Sequence, residues 1–153
     1  MEEGSKFPSF SLPDQDGKPR TLKDLTGDRG LVLYAYPKDD TPGCTIEATD
    51  FRDLAAELED EGFRIAGVSK DPAESHQAFC KKYDLTFTLL TDAGGGFLEE
   101  VGAWGEKTMY GRTSEGIKRS TFVIGKDGTL VKHYPNVRAK GHAERVLADV
   151  RAL

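Results

Sequence analysis

LVLYAYPKDDTPGCTIEATDF, residues 31 to 51, changes character twice. Leu31 to Tyr36 is a continuous apolar run, as expected of a strand covered on both faces. After it, Thr41 suits an N-cap and Pro42 the first helical position, so Cys44 falls at N3, in the first turn. Ile46, Phe51, Leu54, Ala55 and Leu58 then recur near helical spacing, and Gly62 supplies a stop. A buried strand thus leads through a short loop to a helix whose first turn carries a thiol.

Working outward, Phe10–Leu12 and Arg20–Leu22 flank the turn-rich DQDGKP and read as a hairpin. Phe63–Val68 reads as the next strand. Asp71-Pro72-Ala73-Glu74 reads as a helix start, with Asp71 as N-cap, Pro72 at N1 and Glu74 at N3, and that helix runs to about Tyr83. Phe87–Leu90 is expected as a short strand and Phe97–Val101 as a short helix. Gly94-Gly95-Gly96 fits neither GxGxxG nor GxxxxGK[ST] and reads as the turn before that helix. Arg119–Ile124 and Thr129–Tyr134 are strands joined through Lys126-Asp127-Gly128. Ala143, Val146, Leu147, Val150 and Leu153 give a closing amphipathic helix. Strands alternating with helices, then a hairpin and a helix, make an α/β protein with a mixed sheet.

The 153 residues suffice for one domain with a real core. A net charge of −5 without a basic stripe argues against nucleic acid as partner. No apolar stretch approaches the length of a membrane span, so no membrane association is expected. MEEGSKFPSFSL lacks the apolar region of a secretory signal. Two cysteines are too few for a disulfide scaffold, which points to a reducing cytoplasm.

At Cys44, free N–H groups and the helix dipole favour negative charge, and the thiolate is the nucleophilic form of cysteine. Gly43 leaves room for a small molecule to approach the backbone. A buried cysteine acting as a small hydrophobe is the plainer alternative. Cys80 lies mid-helix in QAFCKKYD, so no CxxC pair exists. His76 and Cys80 share a helix face and could form half a metal site, but no second pair of ligands has useful spacing. His133 and His142 stand alone, and His76 reads as a solvated helix residue. Arg119 is either a surface charge or an anion holder, its fork of donors being permanently charged. Trp104 reads as a core or cleft aromatic, and ELEDE (57–61) as a solvated face.

On these residues the chain resembles the peroxiredoxins, and among them the bacterioferritin comigratory protein, or PrxQ, subgroup. The family pattern P-x-x-x-T-x-x-C reads here Pro37-Lys38-Asp39-Asp40-Thr41-Pro42-Gly43-Cys44. FSLPDQDG, YPKDDTPGCT, FTLLTD, WGEK and GIKRSTFVI follow in the usual order, from about Phe7 to Val150. The resemblance implies a thioredoxin-like fold and a thiol peroxidase that needs no cofactor or metal. It makes Cys44 the peroxidatic cysteine, with Thr41 and Arg119 bonding peroxide and thiolate, Gly43 offering its N–H, Pro37 shielding the pocket and Glu47 orienting the arginine. It also implies thioredoxin or a similar dithiol as reductant, and a monomer. Many members of the subgroup carry a resolving cysteine five residues after the peroxidatic one, where this chain has Thr49. A second pattern places it on the next long helix, which Cys80 fits. The alternatives are a one-cysteine enzyme resolved by an external thiol, a thiol-based redox sensor, and an interaction domain with two structural cysteines.

Overall fold

The computed structural model describes residues 1–153, except for the side chain of Met109. In chain order the elements are β1 (Ser11–Pro13), β2 (Pro19–Thr21), α1 (Leu22–Leu25), β3 (Gly30–Ala35), α2 (Pro42–Asp60), β4 (Phe63–Ser69), α3 (Ala73–Tyr83), β5 (Thr88–Thr91), α4 (Gly96–Glu100), β6 (Trp104–Met109), β7 (Arg112–Ile117), β8 (Ser120–Gly125), β9 (Leu130–Tyr134) and α5 (His142–Arg151). A five-stranded sheet in the order β5-β4-β3-β8-β9 forms the centre. β3 runs parallel to β4, β4 parallel to β5, and β3 and β9 lie antiparallel to β8. The mixed α/β architecture expected from the sequence is therefore present.

All six residues of β3 are buried because each face of the strand meets a different core. With side chains alternating along the strand, Val32 and Tyr34 join Cys44, Ala48 and Phe51 of α2, Phe79 of α3, and Val146 and Val150 of α5. Leu31, Leu33 and Ala35 join Phe7, Leu25 and the α4 residues Phe97 and Leu98 on the other side. Tyr34 stacks on Phe51 at 4.9 Å between centroids, which fixes α2 over the strand that feeds it.

The helix start falls where expected: Thr41 is the N-cap residue, with Pro42 at N1. The buried stripe is Cys44, Glu47, Ala48, Phe51 and Leu58. Ile46, expected in it, is 44% exposed, since at 100° per residue it lies off the line joining 44 to 48. Gly62 follows the C-cap at φ +86, where a Cβ would be strained.

Three further differences have local causes. α3 starts at Ala73 with Pro72 as the cap residue. Asp71 does not cap it, because its carboxylate accepts from Ser69 Oγ and from the Asp39 amide. The short helix α1 was not anticipated; a capping box between Thr21 and Asp24 starts it. Nor was the β6–β7 hairpin, whose polar run gives no clean alternation. Its turn residues Tyr110 and Gly111 both have positive φ, the requirement of a tight hairpin turn that Asn-Gly usually signals.

Candidate active site

Cys44 sits at N3 of α2, 1% exposed, with its side chain turned into the core. Pro42 has no N–H, and the first helical bond runs from the Thr45 amide to the Thr41 carbonyl. The Gly43 and Cys44 amides lie ahead of that bond, so neither has an acceptor within the helix. Arg119, on the residue that precedes β8, reaches the same point. Its Nη2 donates to Cys44 Sγ at 3.4 Å and its Nη1 to Glu47 Oε1 at 2.6 Å. A Cβ at residue 43 would lie 3.0 Å from Arg119 Nη2, so any side chain there would push the guanidinium back by a few tenths of an ångström.

Glu47 is wholly buried one turn after Cys44. Burial pushes its carboxyl up to about 7, and the Arg119 charge offsets only part of that. For Arg119 the balance tips the other way. Burial disfavours its charge, yet Glu47 and the Cys44 sulfur outweigh burial and raise its pKa. Glu47 Oε2 and the Tyr34 hydroxyl are buried without a partner among the described residues.

Thr41 is half-buried, and its hydroxyl donates to the Lys38 carbonyl at 2.8 Å rather than to the sulfur, which leaves its lone pairs free. Pro37 is half-buried, two residues past the end of β3. Lys107 of β6 closes the WGEK segment, which by itself assigns it no role. Burial lowers its pKa, the nearby Arg119 charge lowers it further, and the Cys44 sulfur pulls it back up. A second cationic group therefore lies near enough to feel both the guanidinium and the thiol, and it rides on the hairpin that the sequence did not reveal.

Cys80 is half-buried at the edge of the same core, and both cysteines are free thiols. Burial pushes the Cys80 thiol up to about 11, with Asp39 and Asp16 adding to the shift. His76, expected in solvent, is fully buried. Its Nδ1 lies 2.7 Å from Asp39 Oδ2 and its Nε2 3.0 Å from the Leu90 carbonyl. Burying one face of α3 against Tyr36 leaves the ring no route to water, so Asp39 supplies its partner. Asp39, Asp71 and His76 each bring a ligand-type atom within 4.8 Å of the others. Every one of those atoms already has a hydrogen-bond partner, so the cluster is a polar network.

A family model described as the AhpC/TSA family matches residues 4–133. A putative peroxiredoxin bcp of Coxiella burnetii is 42% identical over 147 residues, covering 96% of this chain and 97% of that protein. Peroxiredoxin Bcp of Escherichia coli is 42% identical, covering 96% and 94%. Among solved structures, Xanthomonas campestris peroxiredoxin Q aligns with a TM-score of 0.86 at 40% identity, covering 94% of this chain and 90% of that one. A Xylella fastidiosa PrxQ variant aligns with a TM-score of 0.91 at 36% identity, covering 99% and 96%. These likenesses define the class as a thioredoxin-fold peroxidase among the oxidoreductases. Within that class, the chain belongs to the AhpC/TSA family and is a peroxiredoxin.

Proposed function

We propose that the chain reduces hydrogen peroxide and alkyl hydroperoxides at Cys44 and that Cys80 resolves the product. The observation that carries the reading is the Arg119 guanidinium, 3.4 Å from the Cys44 sulfur and fixed by Glu47. The Cys44 thiolate attacks the terminal peroxide oxygen and the O–O bond breaks. Two electrons pass from sulfur to peroxide, water or an alcohol leaves with a proton, and Cys44 becomes a sulfenic acid. Negative charge develops on both peroxide oxygens, where Arg119 and the Gly43 and Cys44 amides can donate. The Thr41 hydroxyl can join them by turning from Lys38, and Pro37 limits access of water.

Cys80 then attacks Cys44 Sγ, the hydroxyl leaves as water, and a disulfide forms. A dithiol such as thioredoxin reduces it by exchange. The Xanthomonas campestris bacterioferritin comigratory protein, 38% identical with a TM-score of 0.86, has alkyl peroxide reduction activity. Two structures of its peroxiredoxin Q carry serine at one or other of two cysteines 36 positions apart, the separation of Cys44 from Cys80. A monomer in the cytoplasm fits this cycle. No described helix is long and apolar enough to cross a membrane.

One observation favours a second reading. A thiol held up to about 11 is a weak nucleophile while α3 is folded, which suits a one-cysteine enzyme served by an external thiol. Steady-state peroxide consumption with NADPH, thioredoxin reductase and thioredoxin separates the two. The unaltered chain should turn over, Cys44→Ser should be inactive, and Cys80→Ser should stop after one turnover. Activity in Cys44→Ser would overturn the peroxidase reading. Undiminished turnover in Cys80→Ser would establish the one-cysteine route.

A further inference from the structure

The loop that carries the chain into Cys44 is tied to the helix that carries Cys80, on both sides of that cysteine. On its N-terminal side, Asp39 Oδ2 accepts from Ser75 Oγ at 2.8 Å and lies 2.7 Å from His76 Nδ1. Asp39 Oδ1 accepts from the Tyr36 hydroxyl at 2.6 Å, which holds the carboxylate in place. On its C-terminal side, Asp40 Oδ1 accepts from the Tyr83 hydroxyl at 2.8 Å, and Asp40 Oδ2 pairs with Lys82 Nζ at 2.8 Å. The Tyr83 carbonyl also accepts from Arg52 of α2 at 2.6 Å. Asp40 is left-handed, at φ +58, an uncommon conformation for a residue other than glycine that the surrounding structure must hold. The first of these ties is buried and the second exposed.

We propose that Asp39 and Asp40 are positioning residues forming a latch on α3, and that release of this latch limits disulfide formation. The proposal rests on the reading that Cys80 resolves Cys44. Cys80 lies between His76 and Tyr83, so α3 cannot open around the thiol while both ties hold. Opening also brings Cys80 out of the surroundings that keep it protonated. Until then the sulfenic acid at Cys44 meets only peroxide, and a second peroxide oxidises it to sulfinic acid with loss of water or alcohol. Latch strength therefore sets the peroxide concentration at which the enzyme over-oxidises itself, without touching the first chemical step.

The test is a rapid-quench series with hydrogen peroxide, in which thiols are trapped by alkylation and species are read by intact mass. Asp40→Asn combined with Tyr83→Phe removes the Tyr83 hydrogen bond and the charge that pairs with Lys82, while keeping a residue that tolerates positive φ. Loss of one net hydrogen bond of about 1 kcal/mol corresponds to about fivefold. We expect the disulfide to form about fivefold faster and over-oxidation to need correspondingly more peroxide, with the rate of Cys44 oxidation unchanged. His76→Asn and His76→Gln test the buried tie: an Asn amide can occupy the Nδ1 side and still meet Asp39, whereas a Gln amide reaches the Leu90 side. His76→Gln should resolve faster than His76→Asn, a difference that mere loss of the ring would not produce. If both histidine variants fail to fold, the Asp40/Tyr83 pair carries the test. Disulfide rates at or below the parental value in that pair overturn the latch alone. Absence of any Cys44–Cys80 disulfide in the unaltered chain overturns the resolving reading and the latch together.

Discussion

Arg119 and Glu47 illustrate how two residues with unremarkable sequence contexts become unusual by meeting. The guanidinium divides its fork between a sulfur and a carboxylate, a geometry that a lysine ammonium cannot reproduce. On the proposed chemistry, Arg119→Lys slows the peroxide step by about 10²-fold, which stopped-flow oxidation of Cys44 measures; a rate within a factor of two of the parent would remove Arg119 from the site. Glu47 gives a pH prediction. Its folded pKa of about 7 lies above the ordinary 4.5, so between those values the folded protein holds a proton that the unfolded chain has released. Stability from this group is full below the ordinary value and falls as pH rises through about 7, by at most about 1.4 kcal/mol per pH unit. Glu47→Gln removes the titrating group. Urea midpoints of parent and variant should therefore converge at low pH and separate as pH rises from 5 to 8, with the variant's less pH-dependent. Parallel curves would show that Glu47 stays ionised throughout.

At the scale of elements, α2 and α3 carry the two thiols against one core and are joined at the end of α3 by Arg52 on the Tyr83 carbonyl, but each packs mainly on other elements. α2 lies against β4 and α5, and α3 against β5. A disulfide requires Cα atoms within about 7 Å, whereas packed helix axes lie about 8 to 10 Å apart. On the proposed cycle, thiols that do not face each other across such a gap are expected to meet only when the first turn of α2, or α3, or both, unwinds. Giving up a cap costs about 1 kcal/mol, small beside a domain's roughly 5 to 15 kcal/mol, so local opening does not demand global unfolding. Amide hydrogen exchange across residues 73–83, or in the first turn of α2, should accelerate in the disulfide form relative to the dithiol form. Equal protection in both forms at both helices would mean that the bond closes without unwinding. The start and stop of α2 were legible because Thr41, Pro42 and Gly62 act locally. The start of α3 was misassigned because Asp71 has two donors competing for its carboxylate, and the amide of Asp39 comes from a distant part of the chain.

For the whole molecule, the sequence by itself determined what depends on neighbours along the chain. Leu31 to Tyr36 had to be a covered strand because six apolar side chains alternate onto two faces, and both faces are in fact filled. The ordered motif blocks pointed to a peroxiredoxin, and the family match bears that out. Tertiary structure decided whatever depends on residues far apart in sequence. His76 reads as solvated on its own helix, but the packing of α3 seals it against Tyr36 and Asp39. Ile46 reads as core until the helix is rotated so that Cys44 and Glu47 face inward. Glu47 has a role in the sequence only through the family resemblance, and its burial and ion pair exist only because Arg119, just ahead of β8, meets it; Lys107 has no visible role until the β6–β7 hairpin brings it near the thiol. The physical reason is the same in each case: burial and charge pairing are fixed by which surfaces meet, and local propensity says nothing about a partner 72 residues away.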